Sequence, residues 1–153
     1  MTGSDFIGSM LALRCWQHGR EDGLEGMLGI AFVYRNRVRA GWESGDWIRV
    51  LQNYRNAAAT EYPASDEIPD PRTVTFTPLI QTITAIMNGT ATDDITVGKN
   101  FAYGGGSILS VTPPPALYYG QLNDINREWF LEEISRNPTH QRIANVGSLF
   151  FWT

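Results

Sequence analysis

A single cysteine and two histidines are all that this 153-residue sequence holds of the side chains most used for disulfides, thiol chemistry and metal capture. Cys15 alone cannot close an intrachain disulfide. It falls in an apolar helical pattern, where a lone cysteine behaves as a small buried hydrophobe. His18 follows one turn along the same helix face, and neighbours on one helix rarely form a nucleophile–base pair. His18 and His140 have no partners at metal-ligand spacing, so neither a metal nor any other cofactor is expected. Charge is sparse too: Asp and Glu total 16 against 12 Lys and Arg, a net −4, and the basic residues are scattered. That distribution excludes the basic footprint of a nucleic-acid partner, though not a glycan, which aromatics and hydrogen bonds recognise. No apolar run approaches the roughly 20 residues of a membrane span, and no membrane partner is expected. The opening Met1-Thr2-Gly3-Ser4-Asp5 lacks the basic and apolar regions of a secretory leader. Phosphate loops and nucleophile elbows are missing as well, and the glycine run "YGGGS" (103–107) is not framed by a strand and a helix.

What the chain does have is 42% hydrophobic residues and many aromatics, Trp 5, Tyr 6 and Phe 7. That is enough for a real core in one domain spanning 1–153. Phe6, Ile7, Met10, Leu11 and Cys15 recur at helical spacing over residues 4–18, with Gly19 as the stop. A second helix starts at Leu24 and runs through Met27, Ala31 and Phe32 to Val38, ahead of Gly41. Arg35, Arg37 and Arg39 crowd its last turns, where cations suit the helix dipole. Asp46 caps a short third helix, "DWIRVLQNY". Residues 56–78, with four prolines, read as a long surface excursion. "PLIQTITAIMNG" (78–89) is a helix between Pro78 and Gly89, and residues 99–120 are loop-rich. "NDINREWFLEEIS" reads as a further helix opened by Asn123 or Asp124, and "RIANVGSLFFWT" as a strand or hairpin around an Asn and a Gly. The expected fold class is α+β, mainly helical with a small β element.

Three stretches carry a resemblance. In "CWQHGREDGLEGMLGIAFVYRNRV" (15–38), Trp16, Arg20, Gly23, Glu25, Gly26 and the closing Asn36-Arg37-Val38 fall in register with a known opening motif. That motif runs Trp or Tyr, any residue, Glu-Ala-Arg-Gly-Glu, a turn, then a helix ending Leu-Asn-Arg-Val. "DITVGKNFAY" (94–103) is similar to Asp-Pro-Thr-x-Gly-Ala with an aromatic-rich continuation, through Asp94, Thr96, Gly98, Phe101 and Tyr103, with Ile95 in the proline's place. "VGSLFFW" (146–152) echoes an ending Ile-Gly-x-His-x-Phe-Tyr, with Leu149 in place of the histidine. Together they resemble the SleB-type cell-wall hydrolases, the family of the spore-cortex-lytic enzymes, across residues 11–152 and in the family's order. The resemblance implies a small lysozyme-like domain, with helices around a groove and a β element on one side. It also implies a peptidoglycan-cleaving glycosidase or lytic transglycosylase.

The departures bear directly on that chemistry. The register puts His18 on the family's catalytic glutamate and Asp22 on the second one, with Gly19 and Glu21 standing for Ala and Gly. Glycosidic cleavage needs a proton delivered to the leaving oxygen while an oxocarbenium-like charge develops. A glutamic acid does this when an apolar pocket raises its pKa. An imidazolium, which a helix C-terminus favours, would instead put positive charge beside a developing cation. Loss of the general acid costs about 10²–10⁴ in rate, so an impaired or dead site is expected. Glu21 is the nearest rescue carboxylate, or simply a solvated turn residue. By resemblance Asp94, Thr96 and Tyr103 line the groove wall; Asp94 and Thr96 equally make a local side-chain-to-backbone turn. Trp16 is core or a sugar platform. Arg20 and Arg37 are expected to pair with carboxylates at the helix junction.

Two readings from different classes remain. In the first the chain is an enzyme acting on peptidoglycan glycan strands with an unusual acid. In the second it is a catalytically inactive structural or binding protein of a phage virion, with virion proteins as partners. The missing leader suits a phage protein made in the host cytoplasm before lysis. His18 counts against the first reading, and the stretch from Asp94 to Tyr103 counts against a wholly repurposed shell.

Overall fold

The first two apolar patterns form α1, Gly3–Gly19, and α2, Gly23–Arg39, in a computed structural model that describes residues 3–52, 76–96, 115–121, 132 and 142–152. The helices meet at residues 19–23, where the sequence places the junction: a 3₁₀ turn, Arg20–Asp22, then Gly23 at φ +75°, a conformation that suits glycine. Gly19 is needed for contact as well as for termination. A Cβ there would lie 2.8 Å from Ile30 Cδ1 and 3.1 Å from the Met27 backbone.

Helix α2 is the hub. Every residue from Gly29 to Arg37 is buried, so this stretch is enclosed all round and not merely amphipathic. It packs against α1 and against α3 (Trp47–Gln52) and α4 (Phe76–Met87). The cap expected of Asp46 forms, with Oδ1 accepting from Ile48 N at 2.9 Å and Arg49 N at 3.2 Å. Arg14 ties α3 to α1 by donating from Nη2 to the Leu51 carbonyl at 3.0 Å. Helix α4 begins at Phe76, before Pro78, which leaves the proline in the first turn, where a missing N–H breaks no helix bond.

The last stretch folds as a hairpin of β2, Arg142–Val146, and β3, Leu149–Trp152. Its two-residue turn opens with Gly147 at φ +54°, as a type II′ turn requires. A third strand, β1 (Tyr118–Gln121), lies in the segment that reads as loop, and the antiparallel order is β1-β3-β2. β3 is therefore central and buried along its length. That explains why "LFFW" runs apolar without alternation. The register pairs Tyr118 with Trp152 and Tyr119 with Phe151. The architecture is mainly helical with a small sheet, and Leu11, Met27, Ile30, Ile86, Leu149 and Phe151 belong to one core cluster. Among the described residues no helix is long and apolar enough to cross a membrane. Of the helix expected from Asn123 or Asp124, only Glu132 lies among the described residues, and it is helical.

Candidate functional site

His18 sits in the last turn of α1, half-buried. Its Nδ1 is 2.6 Å from the Tyr119 hydroxyl, which β1 delivers to the helix junction. The Tyr119 hydroxyl is in turn 2.9 Å from that of Tyr34 on α2. Both tyrosines are buried, and the rings of His18 and Tyr34 lie 5.8 and 5.9 Å from that of Tyr119. Three elements thus contribute one side chain each to a continuous polar chain inside an apolar core. Burial pushes the Tyr119 phenol well above its ordinary value, with Tyr34 adding to the effect, so it stays un-ionised.

Arg37 closes the inner end. At 1% exposure it is a permanent cation that donates from Nε to the Leu117 carbonyl at 2.6 Å. Its guanidinium carbon lies 4.8 Å from the ring centre of Trp42, 5.1 Å from Tyr34, 5.7 Å from Tyr119 and 5.9 Å from Tyr118. Where the sequence leads one to expect a carboxylate, Arg37 meets a backbone carbonyl and four aromatic rings. Among the described residues nothing accepts from its buried Nη2. Burial lowers its pKa and the surrounding tyrosines, Tyr34 first, work against that. The two residues before it do similar work. Arg35 donates to the Ala91 carbonyl at 2.7 Å and Asn36 to that of Ala116 at 2.9 Å. Three consecutive polar residues at the end of α2 therefore satisfy the carbonyls of two irregular segments, which otherwise lack partners in regular structure.

The charge state of His18 differs from the helix-end expectation. Burial first, and the nearby Arg14 charge second, push its pKa down to about 4, and the ring is neutral at physiological pH. The helix C-terminus favours a cation, but desolvation outweighs it here. In an unfolded chain the ring protonates near 6.5, and in the fold only near 4. The unfolded state therefore binds the extra proton between those values. This contribution is intact above pH 6.5, falls as the pH drops and is gone below about 4. Its size is on the order of 2 kcal/mol, allowing for solvent at a half-buried ring. Urea unfolding of the parent and of His18→Gln at pH 7.5 and 4.5 is expected to show the parent losing more stability on acidification by about that amount. Parallel losses would mean that the folded protein already protonates the ring.

The other candidates are dispersed. Trp16 is half-buried against the core, with the Arg20 guanidinium 4.4 Å above its ring centre. Glu21 is exposed on the 3₁₀ turn. Asp22 anchors the hairpin tip: Oδ1 accepts from Ser148 N at 2.8 Å, and Ser148 Oγ lies 3.0 Å from both carboxylate oxygens. A local turn does form at Asp93–Thr96, but Asp93 makes it, accepting from Ile95 N, Thr96 N and the Thr96 hydroxyl. Thr96 is fully buried by this, while Asp94 is exposed. Tyr103 and His140 lie outside the described residues. Cys15 is fully buried, and its thiol is pushed up by that burial, as an inert hydrophobe would be. A groove of about 540 Å³ lies between α1 and α4, against Gly8, Ile80, Ile83 and Met87, and none of the candidate residues among those described lines it.

No protein-family model, curated protein or solved structure matches this chain. Among the described residues no group of three or more His, Cys, Asp and Glu side chains is placed to hold a metal ion. What the arrangement offers is a neutral imidazole on a hydrogen-bond chain, with no carboxylate at position 18. Tyr34 and Tyr119 escape the motif comparison. Tyr34 leaves a trace nonetheless: it closes the apolar run Gly29–Val33, and a polar tip buried there has to be partnered. Tyr119 carries no comparable signal, because "ALYYG" follows a proline run and reads as loop.

Proposed function

We propose that this chain is a cell-wall hydrolase-like domain of the lysozyme-like kind, its glycosidase or lytic-transglycosylase chemistry impaired by the histidine at position 18. The observation that carries this reading is the packing of the three motif stretches on one another. Asp22 of the first bonds Ser148 of the third, 126 residues away. Ile95 of the second and Phe151 of the third both close on Gly29 of the first. The described parts of the stretches that resemble the family thus meet around the α1–α2 junction. At the acid position, an imidazole with a pKa of about 4 has no proton to deliver near neutrality. Saccharide binding needs aromatic faces and hydrogen-bond donors, not a catalytic acid, so it outlasts the loss.

The second reading, a structural or binding protein of a phage virion, has its own support. Helix α4, "FTPLIQTITAIM", carries no charge along its length, and it leaves Ile80 44% exposed beside the α1–α4 groove. An uncharged helix beside an apolar groove offers a surface for protein contacts in place of a saccharide site. A zymogram on purified peptidoglycan, with co-sedimentation on intact cell walls, separates the readings. The expected result is no clearing by the parent and weak retention on the walls, with a tryptophan-fluorescence change on adding muropeptide chains. Absence of both retention and fluorescence change would remove the glycan reading and leave the virion one. Strong clearing that persists in His18→Ala would overturn the assignment of position 18.

A further inference from the structure

We propose that Asp22 is a positioning residue for His18: by latching the β2–β3 hairpin to the α1–α2 junction, it holds β1, and with it Tyr119, against the imidazole. The first observation is a cap that is not made. Asp22 stands at the N-cap of α2 and makes no side-chain bond to that helix, although aspartate is among the residues best suited to one. Its carboxylate reaches Ser148 instead. Ser148 N donates to Oδ1 at 2.8 Å, and Ser148 Oγ lies 3.0 Å from both oxygens. A carboxylate that accepts a backbone N–H makes a strong, charge-assisted bond, here between residues 126 positions apart. The surroundings are fitted to it. A Cβ on Gly26 would lie 2.8 Å from Asp22 Cβ, 3.0 Å from Leu149 Cδ1 and 3.3 Å from the Gly19 carbonyl, and a Cβ on Gly147 would strike Asp22 Oδ1. Junction, second helix and hairpin tip therefore close on one point.

From that point the connection to His18 runs through the sheet. Ser148 directly precedes β3, the central strand, and β3 pairs with β1 so that Leu149 faces Gln121 and Phe151 faces Tyr119. Tyr119 in turn brings its hydroxyl to 2.6 Å from His18 Nδ1. His18 and Asp22 lie at the same helix junction, so the contacts form a closed ring: junction to hairpin tip, hairpin to β1, and β1 back to the junction. Opening the Asp22 link frees the tip, lets β3 and β1 shift together and admits water beside the ring. Burial is the first cause of the low His18 pKa, so the ring itself reports whether the latch is closed. The Arg14 charge that faces it from α1, the Tyr119 phenol on β1, and Tyr34 and Arg37 of α2 behind that phenol need not change for this to happen. The latch controls the setting of position 18 and needs no glycan to do so.

Imidazole C–H proton signals of the whole chain, followed against pH, test this, since only two histidines contribute and His18→Gln assigns them. In the parent His18 is expected to titrate near 4. In Asp22→Ala its pKa is expected to be higher by about 1 or more, a tenfold change in proton affinity. The sign decides the cause. Removing a carboxylate charge by itself lowers a histidine pKa, so a rise reports the entry of water. Asp22→Asn keeps an acceptor for Ser148 N and is expected to move the ring less than Asp22→Ala does. Ser148→Ala leaves the junction residues untouched and keeps the backbone bond, and a rise about half as large is expected. Circular dichroism confirms that each variant is folded, and if Asp22→Ala is not, Ser148→Ala carries the test. An unchanged or lower His18 pKa in folded Asp22→Ala or in Ser148→Ala overturns the proposal, and so does a parent ring that titrates near 6.5 with the latch in place.

Discussion

His18→Glu is expected to raise cleavage of purified peptidoglycan about 10²-fold over the parent, which should show little or none. A positioned general acid contributes about 10²–10⁴ in rate, and on the proposed reading this variant supplies one at the end of α1. The low end of that range follows from the surroundings. Partial burial raises a carboxyl pKa, as the chemistry wants. Against it stand the Arg14 charge that depresses His18 and the Tyr119 hydroxyl, 2.6 Å from the present ring nitrogen, which would donate to a carboxylate. Both favour the ionised form, so the optimum is expected on the acid side of neutral. Dye release from labelled cell walls between pH 4 and 8 measures it. His18→Gln, of the same length but without an ionisable proton, is expected to gain nothing. Equal gains in the glutamine and glutamate variants would show that side-chain shape, not acid chemistry, limits the parent.

The helices were legible because their signals are local. Apolar spacing, Gly19 and Gly23 mark the α1–α2 junction, and Asp46 marks the start of α3. The terminal hairpin was legible from its own turn. β1 was not, because four residues after a proline run carry no periodicity, and their pairing depends on a strand about thirty positions further along. The site divides in the same way. The charge of His18 is not legible in the sequence, since a helix end and a desolvated pocket push in opposite directions and only burial shows which wins. Arg37 reads as a helix-end cation paired with a carboxylate until the aromatic rings around it are in place. Asp93 and Asp94 are chemically the same, and a one-residue difference in the turn decides which is bonded and which faces solvent.

Gly29→Val is expected to destabilise the fold by about 3 kcal/mol or more, enough to remove much of the stability of a domain this size. A Cβ at Gly29 would lie 2.5 Å from Phe151 Cζ and 3.1 Å from Ile95 Cγ2. Neither neighbour can yield cheaply: Phe151 is buried on the central strand, opposite Tyr119, and Ile95 is buried in the turn held by Asp93. Gly29→Ala meets the same wall with less bulk. It recovers up to about 1 kcal/mol of helix propensity, and a net loss of about 1–2 kcal/mol is expected. Phe151→Leu removes the atoms that the new methyl strikes. The double variant Gly29→Ala with Phe151→Leu should therefore be more stable than the sum of the single losses by about 1 kcal/mol. Urea unfolding of the four proteins closes the cycle. Additive losses would mean that α2 and β3 do not meet at this point, and with that the packing of the first stretch on the third at Gly29 would fail. A coupling of the expected sign would place the helix of the first stretch and the strand of the third within one methyl group of each other.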